Sequence, residues 1–288
     1  MARRIAAMLL RVGIPDTGRG AWLRDNVGVL ARRLPSRLRR DPPPAPASPE
    51  SPPAPASPEL ALSPADRRII DRALGDTMTD QVRLLALIDA VRHCVRRGIP
   101  GALAECGVWR GGSVVAMALT LAELGASDRD LYLYDTFEGM TAPTEHDTSA
   151  LEAPALERWE RAAREQTRAW NELFDPAVYG EGQVRDAVLA TGHPPNRVHL
   201  VRGPVEETLP AAAPGQLALL RLDTDWYEST RHELEQLYPR LAPGGVLIID
   251  DYGHWEGCRR AVDEHFASEA EPILLHRVDY TCRIAVKS

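Results

Sequence analysis

The chain has 288 residues, 44% of them hydrophobic, enough for one sizeable α/β domain with appendages but not for a second full domain. Its net charge of −7 is unevenly spread: residues 1 to 40 hold ten arginines against Asp16 and Asp25, which leaves the rest at −15. An acidic body argues against nucleic acid as a partner, because phosphate-backbone binding needs clustered positive charge.

Residues 1 to 41 read as a basic leader, either disordered or an amphipathic helix that touches anionic lipid or a partner. Met1 to Leu10 has too short an apolar stretch for a secretory signal. Residues 42 to 59 are rich in proline and alanine and form an extended linker, since proline removes backbone donors and fixes φ. The catalytic domain is then expected over 60 to 288. Helical periodicity over Ala65 to Leu74 and Asp80 to Arg97, with Leu84, Leu85, Ile88, Val91 and Val95 on one stripe, predicts a helical cap over about 60 to 98.

From Gly101 onward short apolar strands alternate with helical segments. The strands fall at Gly101 to Glu105, Asp130 to Tyr134, Val198 to Arg202, Leu217 to Leu222, Gly245 to Ile249, Ile273 to Val278 and Cys282 to Val286. The alternation predicts a doubly wound, mostly parallel seven-stranded sheet. The short turn near Asp279 makes the last two strands an antiparallel hairpin, an ending usual in nucleoside-dependent methyltransferases. A polar insertion between the second and third strands, about 140 to 182 with a helix expected over Leu156 to Asn171, reads as a lid. No stretch approaches the ~20 apolar residues of a membrane span. The four cysteines, Cys94, Cys106, Cys258 and Cys282, show neither zinc nor redox spacing, so a reduced cytoplasmic protein without disulfides is expected.

Three segments carry chemistry. Glu105-Cys106-Gly107-Val108-Trp109-Arg110-Gly111-Gly112-Ser113 follows the first strand and opens a helix over Val114 to Leu124. It differs from the dinucleotide fingerprint in spacing and in the acid before its first glycine. A helix N-terminus suits a pyrophosphate, whereas the sulfonium and ammonium of S-adenosylmethionine (SAM) call for a carboxylate such as Glu105, with Gly107 and Gly111 admitting close backbone approach. Asp135, ending the second strand, is placed to accept from ribose hydroxyls. At the ends of the fourth and fifth strands stand Asp223-Thr224-Asp225 and Asp250-Asp251. Asp223 and Asp225 alternate along an extended segment and would share a side. Hard oxygen ligands without Cys or His favour Mg²⁺ or Ca²⁺ over zinc, and Mg²⁺ leaves positions open for substrate oxygens. Asp223 or Asp225 is the candidate general base, with His146 and His254 as lesser ones.

Five stretches together resemble the macrocin O-methyltransferase family, whose members methylate deoxysugars on antibiotics. They are Ala104 to Ser113, Tyr134 to Met140, Val201 to Pro210, Leu222 to Thr230 and Pro243 to Gly253, and the likeness runs from about Thr77 to the end. The resemblance implies a Rossmann-like class I SAM-dependent fold, and SAM contacts at Glu105, Gly107, Ser113, Asp135, Thr136, Gly203 and Asp223. It also implies Mg²⁺ ligands at Asp223, Asp250 and Asp251, a segment after Met140 lying over the cofactor, a small-molecule glycoside acceptor such as a macrolide or aminocoumarin-type antibiotic, and a homodimer or higher homo-oligomer. The competing reading is a metal-dependent nucleotide-sugar glycosyltransferase that uses Asp-x-Asp. The Glu105 loop, which suits a cation and repels phosphate, speaks against it.

Overall fold

The computed structural model describes residues 62–175, 179–268 and 272–288, all within the compact unit Leu60–Ser288. The leader and linker expected over 1 to 59 lie outside the described residues. The elements in chain order are α1 (Pro64–Ala73), α2 (Gln81–Arg96), β1 (Ala102–Cys106), α3 (Gly112–Glu123), β2 (Leu131–Asp135), α4 (Ala155–Arg164), α5 (Glu181–Leu189), β3 (Val198–Arg202), the single turn α6 (Val205–Thr208), β4 (Leu217–Leu222), α7 (Tyr227–Leu237), β5 (Leu241–Ile249), α8 (Glu256–Ser268), β6 (His276–Arg277) and β7 (Arg283–Val286).

One seven-stranded sheet runs in the order β3-β2-β1-β4-β5-β7-β6, parallel except for β7 against β5 and β6 against β7. This is the doubly wound, mostly parallel sheet expected from the alternation, and its antiparallel ending agrees with the class I SAM-dependent fold that the resemblance implies. The order reverses between β1 and β4, so the crevice outside their carboxyl ends is where an open α/β sheet takes its ligand. All six residues of β4 are buried, as a strand covered on both faces requires.

Two apolar cores flank the sheet. On one side α1, α2, α3 and α5 bury Ile70, Leu84, Ile88, Val91, Val115, Leu121 and Val184. Leu84, Ile88 and Val91, part of the stripe read from the sequence, are wholly inaccessible; each contributes about 1.5–3 kcal/mol by burial. The start of α1 is set by Ser63, whose hydroxyl accepts from Asp66 N while Asp66 accepts from Ser63 N, with Pro64 at the first helical position. Asp80 caps α2 by accepting from Arg83 N. The other side is aromatic: Tyr134, Trp170, Phe174, Trp226, Tyr238 and Trp255 are buried there with α7 and α8.

The insertion differs from its sequence reading in two ways. The helix expected over Leu156 to Asn171 stops at Arg164, and Gln166 and Trp170 take left-handed φ of 54° and 53° as the chain folds back. A further helix, α5, occupies Glu181–Leu189 and packs Val184 and Val188 into the core beside α3. It is the crossover helix between β2 and β3, hidden because its apolar residues are too few to show a periodicity. The last edge strand, expected over Ile273 to Val278, shrinks to His276–Arg277, and Leu274 is left 81% exposed.

Candidate active site

The parallel ladders continue past the strand ends and draw three loops together: Asp223 N donates to Cys106 O at 2.9 Å and Asp250 N donates to Leu222 O at 2.9 Å. Gly107 takes φ of 80°, and a Cβ there would lie 1.9 Å from the Asp223 carbonyl oxygen. The glycine therefore serves loop-on-loop packing, and Gly111 likewise faces the Val184 side chain. The side of each glycine that a Cβ would occupy is thus filled by protein.

Among the described residues, one oxygen each of Asp223, Asp250 and Asp251 lie within 4.8 Å of one another. Arg221, 2% exposed on β4, stands behind them. It donates to Glu105 Oε1, to Asp223 Oδ2 at 2.6 Å, to Asp250 Oδ1 at 2.7 Å and to Thr79 Oγ at 2.9 Å. Arg83 from α2 donates to Asp250 Oδ2 and lies 3.3 Å from Asp279. Neither arginine was singled out from the sequence. A cation inside the otherwise apolar run Leu217 to Leu222 was the available signal, because a buried arginine demands partners.

Five carboxyls, Glu105, Asp223, Asp225, Asp250 and Asp251, thus face two guanidiniums. The deficit shows in their proton affinities. Burial raises Glu105 to about 8 despite Arg221, and raises Asp225 to about 8 with Asp223 adding repulsion. Asp223, whose side chain keeps 28% exposure, is raised by burial to about 6. Asp251 is pushed well above the carboxylate range by burial and then by Asp225 and Asp223. Burial would also raise Asp250, but Arg221 and Arg83 outweigh it and hold it low. Glu105 Oε2 and Asp251 Oδ2 are buried without a hydrogen-bond partner. Such orphaned carboxyl oxygens are costly to ionise unless a cation meets them. Three carboxylates with no sulfur or imidazole form a hard donor set, which fits Mg²⁺.

Asp225 departs from the extended geometry expected of it. Its φ of 68° is left-handed, its carboxyl stays close enough to Asp223 to be repelled by it, and its Oδ1 accepts from the Trp255 indole at 2.8 Å. The turn is held by Thr224, whose hydroxyl donates to the buried Glu233 at 2.9 Å. Asp135 is also differently occupied: Oδ2 accepts from Val108 N and Trp109 N at 2.8 and 2.9 Å, and Oδ1 from Phe137 N and the Tyr179 hydroxyl, both at 2.7 Å. Thr136 Oγ donates to Gly139 O at 2.6 Å within its own turn. Gly203 N donates to Asp135 O at 3.0 Å, which brings the third loop to the same rim, and Ser113 is buried in the first turn of α3.

The segment after Met140 is anchored by Asp147, 1% exposed. One of its oxygens accepts from Tyr227 N at the start of α7, the other from Thr144 N and Oγ. Trp226 Nε1 donates to Thr141 O and Trp109 Nε1 to Leu173 O, so both halves of the insertion lie over the crevice. His146 instead sits outward, 3.1 Å from Arg260 Nη1, and His254 lies between Tyr280 and Glu152.

A family model described as Macrocin-O-methyltransferase (TylF) matches residues 65–286. The chain belongs to the macrocin O-methyltransferase family. This methyltransferase is 37% identical over 204 residues, 70% of its length and 72% of the relative's, to the 8-demethyl-8-(2,3-dimethoxy-alpha-L-rhamnosyl)-tetracenomycin-C 4'-O-methyltransferase of Streptomyces olivaceus. It is 33% identical, over 66% of its own length and 68% of the relative's, to the demethyldecarbamoylnovobiocin O-methyltransferase of Streptomyces niveus. The solved structure of the O-methyltransferase NovP superposes with a TM-score of 0.62 at 29% identity, covering 74% of this chain and 82% of that one. The enzyme is an S-adenosylmethionine-dependent O-methyltransferase.

Proposed function

We propose that this enzyme methylates a hydroxyl of a (deoxy)sugar on a glycosylated natural product, with Mg²⁺ held by Asp223, Asp250 and Asp251 and SAM along the Glu105–Ser113 loop, Asp135, Thr136 and the Gly203 loop. The carrying observation is the excess of buried carboxyl groups over guanidiniums, above all the unpartnered Asp251 Oδ2, where the first three loops meet. A divalent ion there supplies Lewis acidity that lowers an oxygen's pKa by several units.

The protein's own groups do the rest. Asp225, anchored at one oxygen by Trp255 and drawn toward protonation by its setting, takes the hydroxyl proton. Asp223, tied to Arg221, contributes its negative charge without moving. Bound SAM would supply the methyl group, its C–S bond breaking as the C–O bond to the acceptor forms, with S-adenosylhomocysteine (SAH) as the leaving product. Glu105 Oε2, buried beside the donor loop, would face the SAM ammonium. Trp170, Trp226 and Trp255 pack into one cluster, with centroids 5.5 and 4.9 Å apart, and keep water from the reacting atoms. The relatives named for methylating tetracenomycin and novobiocin intermediates support the acceptor class. They do not favour the glycosyltransferase reading.

Part of the same reading is a cytoplasmic homodimer or higher homo-oligomer, checked by light scattering in solution. Among the described residues no helix is long and apolar enough to cross a membrane. The test of function is mass spectrometry of candidate glycosides incubated with enzyme, SAM and Mg²⁺. One added methyl group, lost on chelation, is expected; equal turnover in EDTA overturns the metal's role.

A further inference from the structure

Tyr280 is 56% exposed, yet its surroundings are rigid. Its hydroxyl meets His254 Nδ1 at 3.1 Å, and His254 Nε2 meets Glu152 Oε1 of the insertion at 3.2 Å. The neighbours of Tyr280 in the chain are tied to the carboxylate cluster: Thr281 Oγ donates to Asp250 O at 2.6 Å, and Asp279 lies 3.3 Å from Arg83 Nε. Gly253 N donates to Thr281 O at 2.9 Å, and a Cβ on Gly253 would come 1.8 Å from Tyr280 O, so the turn is clamped onto the loop after Asp250-Asp251. His254 packs edge-on to Trp255, whose indole holds Asp225. A stiff, solvent-facing ring stands beside the candidate metal ligands and serves no core.

The charges tied to the Tyr280 hydroxyl and its turn are negative or already paired. Glu152 and Asp80 keep side-chain exposures of 42% and 55%, and Arg83 is committed to Asp250 and Asp279. A diphosphate needs arginine or lysine donors, and Arg83, the guanidinium tied to the Tyr280 turn through Asp279, already holds two carboxylates. A neutral glycoside needs no such donor: the apolar face of a hexose can lie on a preordered tyrosine, which provides contact area at little entropic cost.

Resting on the proposed sugar O-methylation, we propose that Tyr280, braced by His254 and Glu152, is the acceptor subsite that stacks the hexose ring of an uncharged glycoside. A reaction that transfers the sugar from its activated carrier to the aglycone then precedes methylation.

The test measures binding of nitrophenyl rhamnoside and of dTDP-rhamnose to the full chain with SAH and Mg²⁺, for wild type, Tyr280→Ala and Tyr280→Phe. The alanine variant is expected to bind the nitrophenyl glycoside about tenfold more weakly, a loss of about 1.4 kcal/mol. SAH affinity and melting temperature stay unchanged, and Tyr280→Phe recovers most of the loss because the ring remains. Unchanged glycoside affinity in Tyr280→Ala, or tighter binding of dTDP-rhamnose than of the glycoside by wild type, overturns the subsite. Wild-type enzyme that binds SAH but neither sugar overturns the functional reading itself, and the subsite with it.

Discussion

Asp251 and Asp250 are neighbours with different duties. Both Asp250 oxygens are taken by Arg221 and Arg83, so replacing it disturbs a buried ion-pair network, whereas Asp251 Oδ2 touches no donor. Asp251→Asn is therefore the cleaner probe of a metal ligand. It is expected to lower turnover at least about a hundredfold while SAH binding, read by calorimetry, stays at the parental level; parental turnover sinks the proposed ligand set. A second residue-scale prediction concerns Asp135. Three of its four acceptor positions are filled by backbone N–H groups that cannot leave without remodelling their loops, so the Tyr179 hydroxyl is the donor that yields to a ribose hydroxyl. Tyr179→Phe removes a competing hydrogen bond of about 1 kcal/mol, and SAH is expected to bind several-fold more tightly. Weaker binding would mean that Tyr179 itself holds the cofactor.

At the scale of elements, the insertion is secured to two helices that carry the site. Asp147 accepts from Tyr227 N and so caps α7, which has no side-chain cap of its own, while Thr148 O accepts from Glu256 N at the start of α8. Asp147→Ala removes a cap and leaves the Thr144 amide without its partner. The expected cost is about 2 kcal/mol, measured by urea denaturation, with a raised acceptor KM because Thr141 and Trp226 lose their register. An unchanged denaturation midpoint would show the anchor to be dispensable. The strand ends and the left-handed Asp225 belong to this scale too: its conformation is kept by Thr224 on Glu233 and by Trp255, elements separated from it in sequence.

For the molecule as a whole, the raised carboxyls link stability, pH and metal. Asp223, Asp225 and Glu105 go from ordinary values of 3.8, 3.8 and 4.5 when unfolded to about 6, 8 and 8 when folded. Between those limits the folded state binds more protons than the unfolded one, so stability of the metal-free protein is greatest at the acid end and falls as pH rises from about 4 to about 8. Asp250, held low, acts oppositely but only below its ordinary value. Mg²⁺ at the proposed site would compete with those protons and is expected to raise the melting temperature more at pH 8 than at pH 5. A metal-induced shift that is equal at both pH values, by differential scanning calorimetry, would contradict the cluster as the ion's site.

The periodicities and the strand-end acids were legible in the sequence because each is local: β3 and β4 fall at the expected residues, and an acid after an apolar strand marks the ligand rim of a parallel sheet. Pairing partners were not legible. Arg221 reads as one polar residue in an apolar strand until the β1–β4–β5 register sets it between Glu105 and Ile248, with Asp250 two residues further along within reach of its guanidinium. Alternation placed Asp225 beside Asp223 on extended backbone; the two carboxyls are neighbours, but the backbone is left-handed and the carboxyl is held by Trp255, thirty positions away. The chain by itself determined the sheet, its ligand edge and the chemical character of the loops, since these follow from short-range patterns of polarity. Only the tertiary structure decided which carboxylates are neutralised and which remain exposed to a cation, because burial and ion pairing depend on residues brought together across the sheet.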